Sequence, residues 1–528
     1  MKNRLLFYII LILTLTIVVV SGFIINTKPE NDRVNENGLI GMNRFNEIKA
    51  IGKVIPRRSE EIKNSPWGVQ WNARYSDSSI AELDTTLEKM ANSGVKWTRV
   101  TSDRFYTPAQ EGIYDLERMD KIINGLTTRK INIFITINKL SKKTGNSRLL
   151  KSKRVSDNVG ESMQESELSE YLKAVATLVI RYKNTVKYWE IFNEPTVDQL
   201  YANTVVEASK VIKQIDPEAK VLGGSLARNQ FSQIDFLIKT AGTYMDVLTF
   251  HPYNESPEAI KHKWIVTVNG LENDGYNESS LLFNQLLEKL GKEVNRIQLW
   301  DGEGGFPSSE HTGSYKGRGP WGENIQAKWL LRRYLINFSL NIPVMIYYYL
   351  TEVYSPDNEK VNAKGIMASA TGQPKKGYLA LQHITSIFDE GLNATKEIQS
   401  EFEIIDEGGF TGIKGENSQQ YLTKNPPYEN AKSPLPIEVV SLTGTKGEAV
   451  TYWLPWRMQE YIKPAKINVI IKNVHIKDPV LVDLLTGVIY RVNSEISGKG
   501  LLIKDVPLTD YPMAIIPQHL VKIKKIED

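Results

Sequence analysis

The chain contains no cysteine, and this absence removes several classes of chemistry. Disulfides, thiolate catalysis, cysteine-bound zinc and a lipid-modified N-terminal cysteine all require that residue. Histidine is scarce as well, because only six occur among 528 residues, and no two have the spacing of metal ligands. We therefore expect neither a metal site built on histidine nor a cofactor.

A strong net charge is also missing. The formal net charge is +4 at pH 7, and Lys2 and Arg4 at the N-terminus contribute two of those charges. A nearly neutral body offers no electrostatic basis for binding nucleic acid. Aromatic residues are plentiful by contrast, with 24 tyrosines and 10 tryptophans. Their rings suit the faces of sugars as well as the packing of a core.

One long apolar run stands at the N-terminus. Residues 5–25 are almost wholly apolar and long enough to span a bilayer. Lys2 and Arg4 precede this run, which favours a cytoplasmic N-terminus and an exported remainder. The alternative is a cleaved signal peptide within residues 1–25, although its apolar core would be long and no Ala-x-Ala site follows. Both interpretations predict an extracytoplasmic body, either anchored to the membrane by this helix or secreted.

Three further regions follow along the chain. Residues 26–64 are polar and weakly periodic, which predicts a linker. Across residues 65–392, short apolar runs alternate with helical patterns, which predicts a (β/α)8 barrel. A doubly wound open sheet is the alternative, but no glycine-rich phosphate turn follows the first strand. Residues 393–528 contain short apolar runs between turn residues, which predicts a β-sandwich. The eight predicted barrel strands comprise residues 67–71, 95–100, 131–137, 186–192, 221–225, 247–251, 296–300 and 343–350.

Two glutamates follow predicted barrel strands. Glu194 comes after the run 186–192, which Pro195 terminates because proline cannot donate to a ladder. Glu303 comes after a second apolar run and lies in a glycine-rich turn. Barrel enzymes keep their chemistry at the carboxyl ends of the strands, so we expect the two glutamates to meet there. Paired carboxyl groups cleave glycosidic bonds, with retention at a gap of about 5–5.5 Å and inversion at a wider one.

We assign Glu194 as the general acid/base and Glu303 as the nucleophile. The acid must hold a proton near neutral pH, so we expect burial and the neighbouring carboxylate to raise the pKa of Glu194. A carboxylate that merely caps the next helix is the alternative for Glu194. An ordinary residue of a glycine-rich turn is the alternative for Glu303.

Four segments occur in the order of motifs from a known enzyme clan. The run Val-Lys-Tyr-Trp-Glu-Ile-Phe-Asn-Glu-Pro at 186–195 closely resembles the fourth-strand motif of clan A glycoside hydrolases, which are retaining (β/α)8 enzymes. Residues 299–305 resemble their seventh-strand nucleophile segment, 249–253 their His-x-Tyr segment, and 97–100 their second-strand arginine segment. The C-terminal β texture resembles the sandwich of family 39-type members, the β-xylosidase and α-L-iduronidase relatives.

The resemblance also implies roles for individual residues. Asn193 would bind the sugar 2-hydroxyl, a contact that strengthens in the transition state. Arg99 and Tyr253 would hydrogen-bond Glu303 and hold it in position, and His251 would line the site. The alternatives are an ordinary salt bridge for Arg99, plain packing for Tyr253 and a structural histidine for His251.

Aromatic residues are the candidates for the floor of a sugar site. Many clan members end the eighth strand in a tryptophan, whereas this chain has three consecutive tyrosines at 347–349, of which we favour Tyr348. Trp71, Trp300 and Trp321 are further candidates for stacking on sugar faces, and core packing is the expected role of at least one.

Together these features predict a retaining glycoside hydrolase that acts on an extracytoplasmic polysaccharide or oligosaccharide by double displacement. A membrane-tethered, non-catalytic glycan-binding protein is one alternative, although binding alone requires no such carboxylate pair. A transglycosylase that uses the same residues is another.

Overall fold

The computed structural model describes most of the chain from residue 48 onwards. The predicted anchor at residues 5–25 lies outside the described residues, as do residues 26–44 of the predicted linker. None of the helices within the described ranges is both long enough and apolar enough to cross a bilayer. The described residues are 45, 48–71, 80–102, 116–138, 165–227, 231–253, 257–260, 266–268, 271–273, 296–309, 321–355, 360–368, 372–410, 413, 437–456, 458–498 and 500–526.

Eight parallel strands form a closed barrel, which confirms the predicted fold class. Each strand pairs with its sequence neighbours, and the last pairs with the first, so no open edge is left. The strands are buried on both faces and are correspondingly rich in apolar residues. They are β1 (Trp67–Val69), β2 (Trp97–Thr101), β3 (Asn132–Ile137), β4 (Tyr188–Ile191), β5 (Lys220–Ala227), β6 (Val247–His251), β7 (Gln298–Gly304) and β8 (Met345–Tyr347).

Within the described residues, α-helices follow every barrel strand except β6 and lie around the outside of the barrel. The apolar residues of α2, for example, recur at helical spacing, and Met119, Ile122, Ile123 and Leu126 are all buried. The helices are α1 (Ile80–Asn92), α2 (Leu116–Thr128), α3 (Glu165–Tyr182), α4 (Gln199–Ile215), α5 (Phe231–Ala241), α6 (Glu323–Ser339) and α7 (Lys376–Ile387). Two short hairpins project from the loops after β6 and β8, formed by Val266–Val268 with Leu271–Asn273 and by Val353–Ser355 with Lys360–Asn362.

The barrel interior is packed with apolar side chains toward the amino ends of the strands. Trp97 and Trp300 stand edge to face with ring centroids 5.0 Å apart, and Phe134 packs on Trp300 at 6.0 Å. This packing seals that end of the barrel, so a ligand site inside the barrel has to lie at the carboxyl end of the strands. The core cluster comprises Trp97, Phe134, Leu222, Val247, Trp300, Val344 and Ile346.

The C-terminal strands form two antiparallel sheets of a β-sandwich, also as predicted. Phe402 of one sheet contacts Tyr452 of the other, with ring centroids 5.8 Å apart. The smaller sheet contains Gln399–Asp406, Ala465–Lys472, Gly500–Leu508 and Asn493–Ser497 in that spatial order. The larger sheet contains Asn393–Thr395, Glu438–Gly444, Gly447–Trp453, Met513–Pro517, Pro479–Asp483, Val488–Arg491, Ala50–Val54 and Ile523–Lys525.

The strand Ala50–Val54 corrects one of the predicted boundaries. It falls within the predicted linker of residues 26–64, yet it pairs with Val488–Arg491 on one side and with Ile523–Lys525 on the other. The linker prediction is therefore wrong for this stretch. The strand has a single apolar pair, Ile51 and Val54, and its pairing depends on partners more than 400 residues away, so no local pattern marks it.

A buried ion pair of the barrel is hydrogen-bonded to the sandwich. Arg332 on α6 binds the carboxylate of Glu258 through Nε at 2.6 Å and Nη2 at 2.7 Å. Trp453 of the sandwich donates its indole N–H to the same carboxylate at 2.8 Å. Glu258 belongs to the short 3-10 helix Pro257–Ile260 in the loop after β6. The sandwich thereby holds a loop at the carboxyl end of the barrel.

Candidate active site

The carboxylate of Glu303 is held from two sides at the carboxyl end of β7. Arg99 on β2 donates from Nη1 to Oε2 at 2.5 Å. Tyr253, two residues beyond β6, donates its hydroxyl to Oε1. Burial raises the pKa of Tyr253 well above its usual value, and the charge of Glu303 raises it further, so the phenol stays a hydrogen-bond donor. Both contacts are those that the clan resemblance implies.

A second buried carboxylate, Glu190 on β4, lies on the other side of Arg99. Its Oε2 accepts from Arg99 Nε at 2.9 Å and from Nη2 at 2.5 Å. Thr136 donates to Oε2 and Thr249 to Oε1, both at 2.6 Å. Burial disfavours the charge on Arg99, but Glu190 and then Glu303 raise its pKa, so the guanidinium stays charged. Glu190 and the two threonines therefore fix the cation that positions Glu303.

The chain leaves β4 through strained backbone. Phe192 has φ 63° and Glu194 has φ 46°, a left-handed conformation whose strain is on the order of 1–3 kcal/mol for a residue other than glycine. Contacts with neighbouring strands hold this turn. The N–H of Glu194 donates to the carbonyl of Ser225 at 3.1 Å. Asn193 accepts from Arg99 Nη2 at 2.9 Å, so Asn193 and Glu194 have fixed positions beside the Glu303 cluster.

The carboxyl group of Glu194 is paired with His251, the last residue of β6. His251 Nδ1 lies 3.0 Å from Glu194 Oε1, and its Nε2 lies 3.2 Å from Ser225 Oγ. His251 is completely buried and Glu194 is partly buried. The two facing atoms share one hydrogen bond, so a single proton between them defines the state of the pair.

The pKa of Glu194 differs from the sequence-based expectation. Burial raises it, as expected, but the hydrogen bond and charge of His251, followed by the charges of Arg99 and Lys364, lower it below its usual value. The pKa of His251 moves the other way, because Glu303 and Glu194 raise it against the effect of burial. The expectation is wrong because the sequence did not show that a histidine would face this carboxyl group.

The two glutamates converge at one mouth of the barrel. One carboxylate oxygen of Glu194, one of Glu303 and a ring nitrogen of His251 all lie within 4.8 Å of one another. Groups this close can share a metal ion. Here, however, His251 is hydrogen-bonded to Glu194 and Tyr253 to Glu303. That arrangement suits proton transfer and nucleophilic attack at a single C–O bond.

An aromatic wall stands next to the carboxylates. Tyr348 follows β8 and is partly exposed, whereas Tyr347 and Tyr349 on either side of it are each 1% exposed. The rings of Tyr348 and Tyr253 meet edge to face with centroids 6.3 Å apart. Gly305 passes so close that a Cβ there would lie 2.0 Å from the carbonyl oxygen of Tyr348, so only glycine fits. Of the three tyrosines, the structure thus brings Tyr348 to the site.

The tryptophan candidates have different positions. Trp300 is 2% exposed and packs among Trp97, Phe134 and Tyr188 inside the barrel, so its prediction as a sugar-stacking residue is wrong. Trp71 follows β1 at the carboxyl end of the barrel, and its side chain is 1% exposed. Its contact with a sugar stays a prediction. Trp321 is partly exposed and lies against Phe306, with ring centroids 5.8 Å apart.

A register shift separates Asp301 from Glu303 on the same strand. Strict alternation would place both side chains on one face of β7. The pairing of β7 with β8 is irregular between Asp301 and Gly304. Asp301 instead accepts hydrogen bonds from Arg333 and Asn337 on α6, outside the barrel. Only Glu303 of the two therefore reaches the site.

Several residues of the site were missed at the level of sequence. Glu190 carried a signal, since a charged residue within an otherwise apolar buried strand needs a buried partner. Lys364 carried none, because it lies in a loop after the hairpin that follows β8. Its ammonium is 5.0 Å from the ring centroid of Tyr253 and 5.7 Å from that of Tyr348. Burial lowers its pKa to about 8, while Glu303 and Glu194 oppose that shift.

Comparison with known proteins supports the architecture. No family model and no curated protein matches the sequence. The structure resembles that of a family 39 glycoside hydrolase from the gut symbiont Bacteroides cellulosilyticus WH2, with a TM-score of 0.60, 16% identity and coverage of 88% of this chain and 83% of that one. It also resembles a GH30 endoxylanase from Clostridium papyrosolvens C71, with a TM-score of 0.51, 11% identity and coverage of 89% and 98%. At these identities the likeness establishes a shared fold.

Proposed function

We propose that the chain is a retaining glycoside hydrolase in which Glu303 is the nucleophile and Glu194 the general acid/base. The observation that carries the proposal is the approach of these two carboxyl groups to within 4.8 Å at the carboxyl end of a closed barrel. An inverting enzyme needs roughly 6.5–9.5 Å between its carboxyl groups to admit a water molecule, so the short gap supports retention. The shared fold with a family 39 glycoside hydrolase supports the same reaction class.

In the first step, Glu303 attacks the anomeric carbon while Glu194 donates a proton to the departing glycosidic oxygen. Arg99 and Tyr253 hold both oxygens of Glu303, which aims the attack and limits the conformational freedom of the nucleophile. The proton comes from the pair formed by Glu194 and His251. The products of this step are a covalent glycosyl ester on Glu303 and a free leaving group.

In the second step, Glu194 takes a proton from water, and the resulting hydroxide attacks the anomeric carbon and displaces Glu303. The negative charge of Glu303 raises the pKa of His251. Esterification removes that charge, so the pKa of His251 falls in the intermediate. The pair of Glu194 and His251 therefore binds its proton less tightly in the intermediate, and the carboxylate form of Glu194 that is needed as a base becomes more populated. Two inversions at one carbon give net retention.

The test is to replace the two glutamates separately, as Glu194→Gln and Glu303→Gln, and to assay folded proteins on a panel of aryl glycosides and polysaccharides. Loss of general acid/base catalysis is worth about 10²–10⁴-fold, and loss of the nucleophile should abolish turnover. Azide should restore activity in Glu194→Ala with a glycosyl azide of retained configuration, whereas rescue of Glu303→Ala by azide should give the azide of inverted configuration. Full turnover in either glutamine variant, or an inverted first product by NMR, would refute the assignment.

The proposal includes a site of action outside the cytoplasm, on a polysaccharide or oligosaccharide. Its support is the apolar segment at residues 5–25 preceded by Lys2 and Arg4. Epitopes at each end of the chain, followed by membrane fractionation, would distinguish an anchored product from a shortened, secreted one. The product spectrum at high acceptor concentration separates hydrolysis from transglycosylation, and binding to a glycan array without cleavage would indicate a binding protein.

A further inference from the structure

A cavity lies at the amino end of the barrel, away from the carboxylate pair. It has a volume of about 490 Å³ and is bordered by the starts of β2, β3 and β4. The 3-10 helix Ser59–Glu61 and the two residues that follow it form another part of its wall. Aromatic packing closes the barrel interior at this end, so the cavity is separate from the proposed active site. Its volume is that of a site for a small molecule.

Four lysines line this cavity, and three of them have no carboxylate partner. Lys187 is paired with Asp216 at 2.8 Å. Lys63, Lys96 and Lys130 form no ion pair with any residue of the described part of the chain. We call this space the lysine cleft.

The two carboxylates that line the lysine cleft each bind a cation from outside it. Glu60 is paired with Arg58 at 3.0 Å, and Glu61 is paired with Lys522 at 3.1 Å. The charge left without compensation in the cleft is therefore positive. A concave surface lined by charge of one sign raises the local concentration of ions of the opposite sign.

Lys96, the residue directly before β2, is the most deeply buried of the three unpaired lysines. It is 2% exposed, and its ammonium donates to the carbonyl of Ser59 at 2.9 Å and to that of Lys130. An ammonium has three donors, so one is left for a ligand. Burial, followed by the charge of Lys130, lowers the pKa of Lys96 to about 8, and Glu60 and Glu390 oppose this shift only in part. An anion bound beside Lys96 would offset the cost of burying its charge.

Tyr188, the first residue of β4, also lines the lysine cleft. Its ring packs edge to face on Trp97, with centroids 5.1 Å apart, which fixes its position. Within the described residues its hydroxyl has no hydrogen-bond partner. Burial raises the pKa of Tyr188, so the phenol keeps its proton and stays a donor. The cleft thus offers ammonium groups and a hydroxyl, all of which donate to oxygen.

We propose that the lysine cleft binds a small molecule that carries an oxyanion. The shared chemistry is a group of negatively charged oxygens held by Lys63, Lys96 and Lys130 through charge-assisted hydrogen bonds. Its source is either the carboxylate of a sugar acid or the phosphate of a sugar ester. The inference does not depend on the proposed glycosidase function, because neither Glu194 nor Glu303 takes part.

The test is calorimetric titration of the full chain with glucuronate and with glucose 6-phosphate, and with glucose as the neutral match. The first variants are Lys63→Met and Lys130→Met, singly and together, and both lysines are exposed, so the fold should be retained. Lys96→Met removes the buried ammonium, and its melting temperature is measured because two carbonyls lose their donor. Lys504→Met is the control, since Lys504 is an exposed lysine of the sandwich that pairs with Glu495 at 2.9 Å.

We expect at least one of the two anions to bind about tenfold or more tightly than glucose. Each exposed lysine should contribute about 1.5- to 5-fold, so the double variant should lose about 2- to 25-fold in affinity. Lys96→Met should lose about 10- to 150-fold, the usual value of a hydrogen bond to a charged group. Lys504→Met should bind as the parent does. Tighter binding of glucuronate would identify a carboxylate ligand, and tighter binding of glucose 6-phosphate a phosphate ligand.

The same titrations contain the results that would overturn the inference. One is that the parent binds neither anion, and another is that it binds glucose equally well. A third is an affinity unchanged in the double variant of Lys63 and Lys130. Titration of Glu303→Gln separates this inference from the proposed function, because the lysine cleft lies at the other end of the barrel and binding should be retained. Loss of anion binding in Glu303→Gln would place the anion at the carboxylate pair and contradict the proposal.

Discussion

The two ends of the barrel are built on opposite principles, and β7 contains both. Trp300 at its amino end packs edge to face against Trp97 in an apolar interior. Glu303, three residues later, joins a cluster of buried charges with Arg99 and Glu190. One strand therefore contributes to apolar packing at one end and to the proposed active site at the other, which is how barrel enzymes are generally divided.

The two ends of the barrel place different requirements on the side chains that pack there. Apolar packing at the amino end depends on volume, and several hydrophobic residues of similar size satisfy it. The charged end depends on pairing, because a buried charge that loses its partner is destabilising by about 3–5 kcal/mol. Removing one charge at the carboxyl end should therefore lower turnover strongly, whereas a substitution in the apolar amino end should affect mainly stability.

The largest effect on turnover among these substitutions is expected for Arg99→Met. This change leaves Glu190 buried without its cation and releases Glu303 and Asn193, so turnover should fall below detection. The free energy of unfolding should fall by about 3–5 kcal/mol, measured by denaturant unfolding. Arg333→Met is the matched control, since it breaks the buried pair with Asp301 outside the site. Arg333→Met should lower stability while the folded fraction keeps its kcat. A loss of kcat equal to that of Arg99→Met would show that turnover does not depend specifically on the charges at the carboxyl end.

Glu190→Gln should have the next largest effect. The amide keeps the shape of the carboxylate but removes the charge that holds Arg99, a contribution on the order of 1.5–3 kcal/mol. We expect kcat to fall by about 10- to 150-fold with KM little changed, because Glu190 acts through Arg99 on Glu303, the proposed nucleophile. Asp301→Asn, which weakens the pair on α6, is the control. A change confined to KM, or loss of stability with normal kcat, would show that Glu190 has only a structural role.

His251→Gln should change the pH dependence of kcat/KM. The pKa of His251 is raised above 6.5 in the folded chain, so its pair with Glu194 stabilises the protein below that pH and is lost as pH rises through the raised pKa. The alkaline limb of the parent profile should accordingly lie above pH 6.5. In the variant the proton rests on Glu194 alone, and the limb should move to lower pH. An unchanged limb would mean that the pair does not supply the proton.

Trp300→Phe should have the smallest effect on turnover. The ring fills the amino end of the barrel, and its loss of volume and of the hydrogen bond to Gln298 should lower the free energy of unfolding by roughly 1–3 kcal/mol. Turnover of the folded protein should stay within about twofold, since the carboxylates lie at the other end. A large fall in kcat without a fall in stability would indicate that Trp300 stacks on the sugar after all.

Much of the barrel could be predicted from local patterns. Strands buried on both faces produce continuous apolar runs, and such runs identified all eight barrel strands to within a few residues. A carboxylate placed directly after such a strand lies at the carboxyl end of the barrel whatever its distance along the chain. This topological rule accounts for the expectation that Glu194 and Glu303 would meet.

Contacts between segments far apart in the chain could not be predicted from these local patterns. The strand Ala50–Val54 pairs with strands more than 400 residues away, and Lys364 reaches the site from a loop without a sequence pattern. The pKa of Glu194 was predicted in the wrong direction because His251 approaches it from a different strand. Each of these depends on which side chains face each other, which a one-dimensional pattern does not contain.

Burial and periodicity along the chain were sufficient to determine the closed barrel, the sandwich and the two strand ends that carry Glu194 and Glu303, because each depends on residues close together in sequence. Only the tertiary structure decided that Glu190 binds Arg99 and that His251 shares a proton with Glu194. It also decided that a register shift turns Asp301 away from the site. Electrostatic interactions act through space over a few ångströms, and folding alone sets those distances.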